Sequence, residues 1–126
     1  MRAKTLEELQ VWQRAKELVA ALSAITAGEA FQRHERLREQ IDDASDSLLA
    51  NIAEGFGQAT DRAFARYLYI ARGSAHEIAS HLVVADVRGL ATHATAVPLI
   101  EEARQIGNMI SGFIRYLVKS DWKDRY

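Results

Sequence analysis

The chain has no cysteine in 126 residues and only one proline, Pro98. The first absence excludes a disulfide framework, a thiolate zinc site and a cysteine nucleophile. It accords with a reducing compartment, and a cytoplasmic location is the expectation. The second leaves long segments free to run as unbroken helix. No apolar run approaches the roughly 20 residues that a bilayer span needs, so no membrane partner is expected. The opening MRAKTLEELQVW has helical patterning rather than the continuous apolar segment of a secretory signal. Strand-like alternation, low-complexity tracts and internal repeats are also missing. An excess of charge of one sign is lacking too, since 16 Lys+Arg stand against 17 Asp+Glu for a net charge of −1. A nucleic-acid binder concentrates basic surface to neutralise phosphates, and this balance argues against a large interface of that kind.

What is present reads as one domain over residues 1–126. That length suffices to bury a core, and the 48% hydrophobic content is that of a globular chain. The charge is unevenly placed. Glu39, Asp42, Asp43, Asp46, Glu54 and Asp61 occupy a stretch with no Lys or Arg, while Arg33, Arg36 and Arg38 precede it and Arg62, Arg66 and Arg72 follow it.

Punctuation and periodicity predict four helices. The first starts at Thr5, where Thr5 and Glu8 have capping-box spacing, and carries Leu6, Leu9, Ala15, Leu18, Leu22 and Ile25 at three-to-four spacing. Gly28 lies in the break after it. The second runs from Glu35 to Glu54 with Leu37, Ile41, Ala44, Leu48 and Ile52 on one face, and Gly55 and Gly57 end it. Thr60 caps the third, which runs to Arg88 before Gly89. The fourth begins near Thr95, holds Pro98 in its first turn and continues to Lys119. Its stripe is Val97, Ile100, Ala103, Ile106, Ile110, Phe113 and Leu117. The ending SDWKDRY, polar apart from Trp122 and Tyr126, is expected to fray. Short connections between long amphipathic helices give an all-α, up-down-up-down antiparallel four-helix bundle.

Three groups of residues stand out on these helices. Phe64 to Ala71 leaves almost no polar face, so Phe64, Tyr67, Tyr69 and Ile70 are candidates for an oligomer interface. Gly73 and Ser74 lack bulk and are candidates for close helix packing. Asn51, Glu54, Arg72 and Glu77 are candidates for a polar network, because such groups need partners wherever water is excluded.

Catalytic and metal chemistry find little support. HEIASH, from His76 to His81, spaces its histidines five apart, whereas the zincin helix needs four to face one metal. No Glu-x-x-His pair for a di-iron bundle occurs. Glu39, Asp42, Asp43 and Asp46 share a face, and a solvated row or pairing with arginines is preferred over a hard-cation site. The expectation is therefore no catalytic residue, no metal and no cofactor.

The motifs NIAEG (Asn51 to Gly55), AFARYL and IARGSAHEI, with the early LEELQVWQRAKELV, resemble the four-helix-bundle family of the 23S rRNA intervening-sequence protein. The resemblance spans roughly Leu6 to Leu117. It implies a small helical bundle that assembles with itself as a homopentamer. It also implies an architecture similar to the accessory protein of diversity-generating retroelements, which engages a reverse transcriptase and nucleic acid. The chain departs from the family at Asp42 and Asp43, where members carry arginines, and at Gln58, another basic position. The reading that follows is a non-enzymatic oligomeric scaffold or interaction protein. The alternative is a nucleic-acid-associated protein, binding RNA or a protein–RNA complex through Arg14, Arg33, Arg36, Arg38, Arg62 and Arg66.

Overall fold

A computed structural model describes the backbone of residues 3–124 and the side chains of residues 3–119. A 3-10 turn over Leu6–Glu8 leads into α1 (Gln10–Thr26), α2 (Glu29–Gln32), α3 (Glu35–Phe56), α4 (Asp61–Val87) and α5 (His93–Asp124). No strand occurs among the described residues. The four long helices run up and down in sequence, α1 and α4 each lying against both α3 and α5. At 27 residues, α4 is about 40 Å long.

The core is the meeting of the stripes. Leu37, Ile41, Ala44, Leu48 and Ile52 of α3 are all buried, as the spacing predicts. Leu18 and Leu22 of α1, Leu68, Ile78 and Leu82 of α4, and Ile106 and Ile110 of α5 are sealed in with them. Each such side chain contributes about 1.5–3 kcal/mol by leaving water. On α5, Ala96 and Ile114 are buried, while Val97 and Phe113 sit at the edge of the core.

Helix ends agree with the sequence in part. Thr60 Oγ1 accepts from the Ala63 N–H at 3.1 Å, which satisfies a donor that the first turn of α4 leaves unpaired. At the other end Gly89 turns left-handed, with φ 72°. The Leu90 N–H then reaches the Ala85 carbonyl and the Gly89 N–H the Asp86 carbonyl, closing the helix with two extra bonds.

Five expectations need correction. Thr5 makes no side-chain cap; Glu8 instead accepts from the Lys4 N–H at 2.8 Å, and Leu9 turns extended, so α1 starts at Gln10. The Gly28 break contains the short α2, which carries the fully buried Phe31. Gly55 lies inside α3, which runs on to Phe56, whereas Gly57 ends the helix as expected, at an ordinary φ of −76°. Thr92 rather than Thr95 precedes α5: Thr92 Oγ1 accepts from the Thr95 N–H at 3.2 Å, which puts Pro98 in the second turn. There Pro98 has no N–H to bond the Ala94 carbonyl, and both residues are exposed. Finally, α5 continues through Asp124, beyond the end expected at Lys119. The side chain of Trp122 and all of Tyr126 lie outside the described residues.

Candidate interaction surfaces

The apolar run of α4 is divided by its own geometry. Phe64, Ala65, Leu68 and Ala71 point inward and are buried. Phe64 stacks edge-on against Phe56, at 6.1 Å between centroids, and against Phe113 at 5.1 Å. Phe64 is therefore core, not an outward interface residue, because α3 and α5 converge on it. Tyr67 is half-buried. Tyr69 and Ile70 turn outward, 50% and 53% exposed. Further along the same helix Val83, Val84 and Val87 are exposed, as are Tyr116 and Val118 of α5. These side chains fall in two groups along α4, Tyr69 with Ile70 and Val83 with Val84 and Val87, separated by exposed Arg72, His76 and Glu77; clustered exposed apolar side chains are uncommon on a surface that faces only water.

The expected polar network forms with different members. Asn51 Nδ2 donates to the Ser47 carbonyl at 2.8 Å and to Ser47 Oγ at 3.1 Å. Ser74 Oγ lies 2.7 Å from Ser47 Oγ, which ties α4 to α3. Glu54 is exposed. Arg72 instead donates to Ser111 Oγ at 3.2 Å and lies over the Tyr69 ring at 5.0 Å. Glu77 is 3.9 Å from His81 on its own helix. Asn51 thus joins the interhelical bond, while Glu54, Arg72 and Glu77 stay outside it. Ser47 was not singled out from sequence, although its place one turn before Asn51 was a usable signal.

Of the two small residues, Ser74 is buried between α3 and α4. Gly73 faces outward, and a Cβ there would meet nothing within 4 Å, so it marks no close approach inside the subunit. That role belongs to Gly55, whose Cβ would fall 2.7 Å from Phe64 Cδ1 and 2.9 Å from Tyr67 Cβ.

The arginines chosen for nucleic acid do not form one surface. Arg14 is held by α5: its Nε donates to Glu102 Oε2 at 2.9 Å, its Nη2 bonds Glu102 Oε1, and Gln105 and Met109 complete the set. The hydrogen bond to Glu102 raises the Arg14 pKa above its already high value. Arg33, Arg36 and Arg66 are exposed and Arg38 is half-buried. Arg62 already has an interaction of its own. A different basic surface lies between α4 and α5. One hollow of about 430 Å³ is lined by Tyr69, Arg115, Val118 and Lys119, and another of about 320 Å³ by Arg72, His76, Arg104 and Asn108. No carboxylate lines either hollow among the described residues. Sequence reasoning missed it because its cations come from two different helices, α4 and α5.

Glu39, Asp42, Asp43 and Asp46 form an exposed ridge along α3. Among the described residues, no group of three or more His, Cys, Asp or Glu could hold a metal ion. No helix there is long and apolar enough to cross a membrane.

These features define an all-α four-helix bundle with exposed apolar side chains on the outer side of α4. The profile of the 23S rRNA-intervening sequence protein family matches residues 7–112, and the chain belongs to that family. No curated protein matches the chain.

Proposed function

We propose that this protein is a non-enzymatic scaffold built from several copies of the same chain, joined through the outward face of α4. The observation that carries the reading is the exposed apolar row of Tyr69, Ile70, Val83, Val84 and Val87. One bundle leaves this row in water, and a neighbouring copy would remove it from water. Closed symmetry lets every subunit cover the same patch without growing a filament. Five copies is the number implied by the resemblance to the family. The scaffold's other partner is a protein or an RNA.

The test is a pair of charge substitutions on the row. Ile70→Asp and Val84→Asp should each lower the light-scattering mass toward the 14.1 kDa of one chain while helical circular dichroism persists. An unchanged mass in both variants would put the contact elsewhere.

A second reading, polyanion binding, is favoured by the carboxylate-free hollows between α4 and α5. Binding there should be weak and strongly salt-dependent, because few cations converge and the net charge is −1. Titration of labelled RNA at about 0.15 M salt should give no tight, sequence-selective complex. Nanomolar, selective binding lost in Arg72→Glu and Arg104→Glu would make this second reading the main function.

A further inference from the structure

The two charged faces of the bundle lie on opposite sides. Glu39, Asp42, Asp43 and Asp46 are exposed along α3, and Asp42 and Asp46 open onto the groove between α1 and α3. Arg38, one turn before Asp42, is the cation lining that groove, so this flank stays net negative. Arg72 of α4 and Arg104, Arg115 and Lys119 of α5 line the hollows along the α4–α5 seam, where no carboxylate lines the wall among the described residues. Each of α1 and α4 touches both α3 and α5, so the α1–α3 flank faces away from the α4–α5 seam. Neither set of charges is neutralised within the subunit. The ion pairs among the described residues are Arg14 with Glu102, His81 with Glu77 and His93 with Asp86, while Asp61 and Arg62 have interactions of their own. The carboxylates of the ridge and the cations of the seam take part in none of these pairs.

We infer that the acidic ridge of α3 on one copy seats against the α4–α5 seam of the next copy. This docking rests on the assembly proposed above, which takes the outer side of α4 as the contact; the charges add which face of the next copy meets it. The ridge spans about 10 Å of α3, which fits within the about 22 Å between Arg104 and Lys119 on α5. Tyr69 and Val118 stand among the seam cations, so the same contact takes exposed apolar surface out of water. Exposed ion pairs add little net energy, but they select one orientation of docking and reject others. A two-fold contact would bury the same patch on both copies, and the ridge and the seam would then have to share one side. Lying on opposite sides, they join copies head to tail, so the smallest closed assembly has three copies.

Light scattering of the unaltered chain should therefore give at least three times 14.1 kDa. Two charge reversals test the pairing. Asp42→Lys with Asp46→Lys, and separately Arg104→Glu with Arg115→Glu, should each weaken association at least about a hundred-fold, because like charges then meet across the contact. The mass of both variants should shift toward 14.1 kDa. A chain carrying all four substitutions should recover the parent mass, since its ridge and seam are again opposite in sign. All four positions are exposed, so helical circular dichroism should match the parent in every variant. An unchanged mass in either reversal, or no recovery in the chain with all four, would overturn the inference. A dimer of the unaltered chain would overturn it too, while leaving the α4 contact standing. Loss of assembly in Ile70→Asp beside unaffected charge reversals would likewise strike the docking alone, whereas a monomeric parent would strike both.

Discussion

Gly55 and Gly73 both stand inside helices among apolar and small neighbours, yet their surroundings are opposite. At Gly55 the Phe64 ring and Tyr67 Cβ lie so near that even a methyl group would force α3 and α4 apart. At Gly73 the space beyond the backbone is open. The first glycine is needed where two helices of one subunit touch. The second weakens an exposed helix interior by about 0.5–1 kcal/mol relative to alanine with no packing gain inside the subunit. The same division runs through α4 as a whole: its inner face is fully packed, and its outer face carries exposed Tyr69, Ile70, Val83, Val84 and Val87 on either side of exposed Arg72, His76 and Glu77. The lesson is that a small residue in an apolar stretch marks a helix, but its angle around the axis decides its role.

The sharpest way to break this comparison is Gly55→Leu. It should cost about 3 kcal/mol, the upper end of ordinary overpacking, read from urea unfolding midpoints. A cost below about 1 kcal/mol would show that α3 and α4 separate easily. Next in size is Arg14→Met, which leaves the part-buried Glu102 without its fork and should cost about 1–2 kcal/mol. Because the Arg14 pKa is raised in the folded chain, its contribution is full below the unfolded value and fades only as pH rises through the folded one. Both lie far above neutrality, so the cost should be constant across the neutral range. A cost that varied there would assign the effect to another group.

Ser74→Ala removes the α3–α4 bond to Ser47 and should cost about 1 kcal/mol in the same unfolding assay. Gly73→Ala has the opposite sign. In an Ile70→Asp background, where the outer face is kept from assembling, it should gain about 0.5–1 kcal/mol from helix propensity. A loss there would mean that Gly73 is constrained within the subunit. Smallest of all is Glu54→Ala. Glu54 is exposed and outside the polar network, so its melting temperature should move by no more than a change of about 0.5 kcal/mol implies.

Periodicity and punctuation revealed most of the fold. The five core residues of α3, the Thr60 cap and the Gly89 stop are local features, and each depends on residues within a turn or two. Thr5 misled because its capping partner Glu8 turned to the backbone of Lys4, and Leu9 interrupted the helix. Phe64 was assigned outward because a wholly apolar run has no polar side to show which face is exposed. The site was less legible. The Arg14–Glu102 pair joins residues 88 apart, and the basic hollows draw on both α4 and α5. In each of these cases the missing fact was which helix lies alongside, and that is set by packing rather than by sequence spacing.

The central claim, that the outer face of α4 is a contact between copies, is tested most directly by light scattering on the unaltered chain. At micromolar concentration a single size-exclusion peak should have a mass several times 14.1 kDa, with five-fold as the value the family resemblance implies. A dimer or tetramer would keep the contact and correct the number. A peak at 14.1 kDa would contradict the account, because the apolar row would then face water in the working protein.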